Sequence, residues 1–388
     1  MTAEPESPVG TLWFAHWLRA LSVATVVLLH MWVTLWANND VASAFGHVRP
    51  IPDAAEVPWA GVFGWMPVHV GLGYVAVGFF FMISGLVIPL TMEGRTLGRF
   101  VATRIFRIYP VWIASTAVIA LVFAVQAWST NQAIGLSITD WITNVAIVPD
   151  LTGSVLINPV AWTLMVEVKF YLLCAVLWRT GALNRPAAVS ALAALWAAYG
   201  IAAWGRLDGL HQTHPAAWTA SQALAADAMH MCVALAGVCF YNRMRRGWTR
   251  SATAAAIAVC AGAMTLSAWF VERAAGFTGA KFSGYAVALT LFTLAYVHRE
   301  KFPRSRVAKV GADLSYTVYA THFVLGVVFA HWLVNVTGSP AIATTGAIAM
   351  VVALSIALHR WIELPGIRFG HRVRWPLASG ATPSQTPR

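Results

Sequence analysis

Long apolar runs recur along the whole chain, each broken by a short polar or basic stretch, and none alternates with the period of two that a membrane β-strand shows. Ten of them suit the roughly 20 residues that a helix needs to cross a bilayer. They are 13–37, 66–92, 108–128, 160–178, 186–204, 222–241, 251–271, 281–298, 312–335 and 341–362. The pattern predicts an all-α, polytopic membrane bundle of about ten transmembrane helices. Its expected organisation is an N-terminal segment 1–12, a membrane domain 13–363 and a basic tail 364–388. The first run is longer than the apolar part of a cleavable signal and follows Glu4 and Glu6 with no Lys or Arg, so it is expected to stay as a span. Only the end of the tail, closing on ATPSQTPR, reads as disordered.

Composition sharpens this picture. Hydrophobic residues make up 59% of the 388 and charged ones 11%, against about a quarter charged in soluble domains, which leaves no material for a second, soluble domain. The net charge of +11 is not a nucleic-acid signal, because no basic tract is interleaved with aromatics. Of the 26 Lys and Arg, 20 fall in alternate connections and the C-terminal segment, while Arg49, Arg206, Arg273 and Lys281 fall on the opposite side. By the positive-inside rule both termini are expected in the cytoplasm, with the protein in the plasma membrane.

Tryptophans such as Trp13, Trp36, Trp65, Trp128, Trp162 and Trp178 sit near predicted span ends, as an interfacial belt requires. Trp59 or Trp65 at the rim could instead stack on a sugar. Cys174, Cys232, Cys239 and Cys260 lie within apolar runs without C-x-x-C spacing, so packing is expected of them, with no disulfide and no metal site. Arginine outnumbers lysine 22 to 4 and alanine is abundant, which points to a GC-rich bacterial genome.

Candidate chemistry resides in the few ionisable residues inside the spans, since such residues are costly there and mark sites. Arg19 and His30 are eleven residues apart, three helical turns, so they share a face at an axial separation of roughly 16 Å. Taken singly, Arg19 reads as a snorkelling arginine and His30 as a histidine satisfied by a neighbouring helix. Together they offer a base near neutral pH and a holder of oxyanions. Glu167 in WTLMVEVKFYLL needs a partner, and Lys169, two residues on, lies on another face. His322 in SYTVYATHF balances between a site and packing, Asp227 has no motif, and Glu363 in HRWIELP suits an interfacial helix end. In GRFVATRIFRIYP, Arg99, Arg104 and Arg107 precede Pro110, which is expected to open a helix. They are either topological charge or a clamp for an anionic donor. Ser84 beside Gly85 in FFFMISGLVIP has no base next to it and reads as a packing residue rather than a nucleophile.

In order, these blocks resemble the membrane acyltransferase-3 family over nearly the whole chain. AHWLRALSVATVVLLH is similar to its I-D-x-L-R-G motif followed by an apolar run to a histidine, and FFMISGLVI to its F-F-x-x-S-G-F. ATRIFRIYP is similar to R-R-x-x-R-I-x-P, and WTLMVEVKFYLL to W-S-L-x-V-E-x-Q-F-Y. SYTVYATHF and HRWIELP match S-Y-x-x-Y-x-x-H and the closing E-x-P. The sequence departs at His16 (the family's aspartate), Ala20 (its glycine), Thr103 (its first paired arginine), Val168 (a glutamate) and Lys169 (its glutamine). The hydrolase-like domain fused to some members is not expected here.

The resemblance implies an acyltransferase that moves a short acyl group, commonly acetyl, from acyl-CoA to a hydroxyl. The acceptor it implies is a carbohydrate, glycolipid or related molecule, with membrane lipids around the protein, no permanently bound cofactor and no nucleic-acid partner. On that reading His30 acts as base or acyl carrier, Arg19 orients the thioester, Arg104 and Arg107 hold donor phosphates and Glu167 balances the site. His322, Ser84 and Glu363 are weaker candidates. Two rivals remain at this point: acylation of a cytoplasmic secondary metabolite such as a macrolide, and a proton-coupled transporter or lipid-flipping protein with the same buried charges.

Overall fold

The computed structural model describes residues 12–57, 59, 71–131, 133–204, 208–274 and 279–373. Segment 1–11, Trp65, Arg206 and the ATPSQTPR terminus fall outside the described residues. Among the described residues ten helices are long and apolar enough to span a membrane, and there is no strand. In chain order they are α1 (Trp13–Ala37), α2 (Leu72–Met92), α3 (Leu97–Thr130), α4 (Ala161–Trp178), α5 (Pro186–Ala203), α6 (Pro215–Arg245), α7 (Arg250–Val271), α8 (Ala280–Val297), α9 (Arg306–Thr337) and α10 (Pro340–Arg372).

Local sequence sets many of their ends. Thr96, Ser305 and Ser339 accept hydrogen bonds from the backbone of the first turns of α3, α9 and α10. Pro186, Pro215 and Pro340 open α5, α6 and α10, where no backbone N–H is needed. Gly338, at φ 66°, closes α9 in the left-handed conformation.

Burial ranks the helices. In the apolar window of α6, 83% of residues are buried, against 28% in α5, so α6 is an axis of the bundle and α5 a lipid-facing element. α2 packs along α6 with backbones in contact: a Cβ on Gly85 would lie 2.0 Å from the Ala234 carbonyl oxygen, and one on Gly237 2.3 Å from that of Met82. Only glycine at both positions permits this crossing. α1 packs on α9 and α2, α9 on α10, and α5 on α6 and α7.

Several helices outrun their apolar cores. α3 begins at Leu97, so Pro110 does not open it; it sits inside a continuous helix, contrary to the expectation from sequence. A proline there leaves the carbonyl four residues back without its helical partner. That carbonyl, of Phe106, is covered by Gly366 near the end of α10, where a Cβ would come within 2.7 Å of it. α10 continues to Arg372, beyond the span expected over 341–362, and Glu363 lies inside it, 2% exposed, instead of at a helix end.

The connection between α3 and α4 is a hydrogen-bonded buttress. Ser137 and Asp140 form a reciprocal capping box, and Asp140 also accepts from the Val155 N–H. The Ser137 hydroxyl, then the backbone of Ser137 and Val155, hold the Asp140 carboxyl below the usual carboxylate range. Asn144 donates to the Asp140 and Val155 carbonyls and accepts from the Ile157 N–H. Asn158 then donates to the Ala320 carbonyl on α9, fixing where α4 begins.

Candidate active site

α1 and α9 run side by side, and each sequence candidate on α1 meets a polar residue of α9. Arg19 donates from Nη2 to the Ser315 hydroxyl at 2.9 Å. Nδ1 of His30 and Nε2 of His322 are 2.8 Å apart. The shared face expected of Arg19 and His30 is therefore the one turned to α9. His30 belongs to a π-helical stretch, Leu29–Thr34, a local widening frequent at functional sites.

The two imidazoles are 5.0 Å apart between centroids and inclined by 5°. With an N···N separation of 2.8 Å, that is edge-to-edge, nearly coplanar geometry, not face-to-face stacking: each ring points a nitrogen along the line joining them. Phe323 closes one side of His30 edge-on at 4.8 Å, and His322 is fully buried.

Below the pair lies a cavity of about 100 Å³. Its polar lining is Arg19, Ser84, Arg104, Arg107, Thr163, Glu167, Tyr171, Ser315, Tyr316 and Tyr319. The structure thus gathers Arg19, Arg104, Arg107, Glu167 and Ser84 into one chamber. His30, His322 and Glu363 do not line it. Glu363 accepts a 2.7 Å bond from His359, one turn back on α10, and adds to the field at Arg19.

Glu167 finds the partners it needed: Ser84 donates to Oε1 at 2.9 Å, and the Tyr171 hydroxyl donates to the same oxygen. Ser84 is therefore more than a packing residue, since its hydroxyl orients the carboxylate. Arg104 donates to Thr91 at 2.6 Å and lies over the rings of Phe100 and Tyr171, while its Nε is buried with no hydrogen-bond partner. Among the described residues, none of Arg19, Arg104 and Arg107 forms an ion pair. Three guanidiniums around one carboxylate leave the chamber with surplus positive charge and free donors, a setting for an anion or a polarised carbonyl. Arg99 is exposed and lines no part of it; Arg95, which burial and then the Arg99 charge pull below its ordinary pKa, sits in the α2–α3 link.

Tyr319 joins chamber and histidine pair. It lines the cavity, donates to the Val160 carbonyl at 2.7 Å, hydrogen-bonds with Thr163, and its own carbonyl is 2.9 Å from Nδ1 of His322. Ser315, Tyr319 and His322 follow a four-then-three spacing, one stripe of α9. Sequence reasoning missed Tyr171, Ser315 and Tyr319, though the first stands four residues from Glu167 and the others seven and three before His322.

Other candidates go elsewhere. Lys169 turns away from the chamber and pairs with Asp150, from the α3–α4 connection, and with Asp227 of α6 at 2.5 Å. Trp59 is half-buried and packed edge-on against Trp32 and Trp36, each at 6.2 Å between ring centroids. The four cysteines are buried and free.

In comparison with known proteins, residues 12–360 match the acyltransferase domain family (Acyl_transf_3). No curated protein and no solved structure matches the chain.

Proposed function

Because the chain belongs to the membrane acyltransferase-3 family, and is thus an acyltransferase of groups other than amino-acyl, we propose that it moves a short acyl group, acetyl foremost, from acyl-CoA to a hydroxyl. The acceptor is a carbohydrate, a glycolipid or a related membrane-accessible molecule. The observation that supports this best is the sequence of groups along α9: an arginine-rich chamber, the Tyr319 hydroxyl, and then the histidine pair.

Each part has a matching role. A cavity of about 100 Å³ gives room for the acyl-thioester end of the donor. Arg104 and Arg107 hold the donor's anionic portion through their cavity-facing guanidinium groups. His30 takes the proton of the acceptor hydroxyl as its oxygen bonds to the thioester carbon. Arg19 donates to the carbonyl oxygen as negative charge develops there. The carbon–sulfur bond then breaks, and the departing thiolate takes up a proton. Glu167, fixed by Ser84 and Tyr171, offsets the three arginines so that the chamber binds and releases its anion.

The contacts of Arg19 and His30 with α9 set the length that one reacting centre must bridge. Ser315 and His322 are seven residues apart, about 10 Å along α9. An acceptor hydroxyl bonded to His30 and a thioester oxygen bonded to Arg19 need two hydrogen bonds of about 3 Å plus the bonds between them.

The test is mass spectrometry of envelope glycans, lipids and secreted metabolites from cells expressing the protein, beside cells expressing His30→Ala. An acyl increment present only with the intact protein is the expected result and names acceptor and acyl group together. No increment, with both proteins folded in the membrane, would overturn the proposal.

A further inference from the structure

His322 does not line the arginine-rich chamber, yet its hydrogen bonds determine the protonation of His30. Its Nδ1 lies 2.9 Å from the Tyr319 carbonyl oxygen and 3.1 Å from that of Val318. A carbonyl oxygen only accepts, so Nδ1 of His322 carries the hydrogen. In the neutral ring Nε2 is then a bare lone pair, and it faces Nδ1 of His30 at 2.8 Å along the common plane of the rings. That contact is a hydrogen bond only if Nδ1 of His30 donates. The hydrogen on His30 is thereby committed to Nδ1, and Nε2 is left as its lone pair.

We infer that His322 is a positioning residue that holds His30 in the Nδ1–H tautomer, so that Nε2 of His30 is the atom that accepts the acceptor's proton. The inference rests on the proposed acyl transfer for its catalytic meaning, though not for its structural content. It places His322 where a triad places its carboxylate, as the group that fixes tautomer and ring orientation behind the base. The difference is that the anchor here is neutral, held by two backbone carbonyls and excluded from solvent. A buried carboxylate beside His30 would cost far more to desolvate than an imidazole. When His30 gains a proton at Nε2, the positive charge spreads across the shared hydrogen bond toward His322.

Two variants separate positioning from packing. His322→Gln places an amide oxygen near the position of Nε2 and keeps an acceptor for His30, whereas His322→Ala removes it. In the protein labelled with ¹⁵N at histidine and held in lipid, with His30 assigned by difference against His30→Gln, the expected spectrum shows Nδ1 protonated and Nε2 bare. His322→Ala moves His30 toward the Nε2–H form, and His322→Gln does not. In turnover, His322→Ala lowers kcat by about 100-fold, the scale of general acid–base catalysis, with KM within about twofold, and His322→Gln recovers a large part. Nε2–H at His30 in the native protein, an unchanged His30 spectrum in His322→Ala, or equal kcat in the two variants would overturn the inference. The spectra read the tautomer without turnover, so they carry it even where the acyl-transfer reading fails.

Discussion

At the scale of single residues, Lys169 shows how a charge inside a span is accommodated. The resemblance implies glutamine there, and a lysine two residues from Glu167 could have entered the chamber. It turns instead to Asp150 and Asp227, with side-chain exposures of 13%, 20% and 10% across the three. Removing one member of a buried ion group strands the others, at about 3–5 kcal/mol. Lys169→Gln is therefore expected to lower the melting temperature in detergent, and the triple variant with Asp150→Asn and Asp227→Asn to recover most of the loss. A single variant as stable as the parent would show that the group carries no net stability. The spacing rule in the sequence separated Lys169 from Glu167 correctly, but Asp227 had no legible role. Its partner is 58 residues away and on another helix, where helical periodicity says nothing. For the same reason His30 was legible as an unusual residue in a span and Ser84 only as a packing residue, while their contacts with His322 and Glu167 were not legible.

At the scale of elements, apolar length fixed the cores of the helices but not their ends. α3 outruns its apolar stretch by a turn and more of basic helix because Thr96 caps it and α10 packs along it, neither of which alters a hydropathy window. Pro110 read as a helix start because proline is at home there; Gly366 over the Phe106 carbonyl is the tertiary contact that lets it stay inside. The α2–α6 crossing gives a sharper test. Gly237→Ala puts a methyl 2.3 Å from the Met82 carbonyl oxygen and forces α2, with Ser84, away from α6. Overpacking of this kind costs about 1–3 kcal/mol, so both thermal stability and activity should fall. Gly262→Ala on α7, with no atom within 4 Å of the new methyl, should change neither; equal behaviour of the two would refute the backbone contact. The buttress before α4 adds a pH dependence. Because the folded pKa of Asp140 is depressed, its contribution is present above the unfolded value of about 4 and is lost as pH falls through the folded value. The stability gap between the protein and Asp140→Asn, read by thermal melts from pH 7 down to pH 3, should therefore close in acid. A gap that stays constant would mean that the hydrogen bonds do not discriminate the ionised carboxyl.

At the scale of the whole molecule, the polar groups form a path with two different ends. The connections α2–α3, α4–α5, α6–α7 and α8–α9 share the arginine-rich end of the bundle, and there Glu93 pairs with Arg245 at 2.9 Å to tie the α2–α3 link to the end of α6. Arg104 and Arg107 enter the chamber from this end, and His30 stands about three turns above Arg19 toward the other. The positive-inside rule predicts a cytoplasmic arginine-rich end, and on the proposed function that is the side from which a soluble, anionic acyl-CoA would come. On the proposed function the donor is expected to approach through the arginines and the acceptor hydroxyl to reach His30 from beyond it. Sealed membrane vesicles test this polarity. Everted vesicles, which turn the arginine-rich end outward, should acylate from added acyl-CoA at once. Right-side-out vesicles should do so only after permeabilisation. Equal rates without permeabilisation, or activity confined to right-side-out vesicles, would reverse or abolish the polarity assigned to the chamber. The intrinsic chemistry of His30 could survive that result; the route by which the donor reaches it could not.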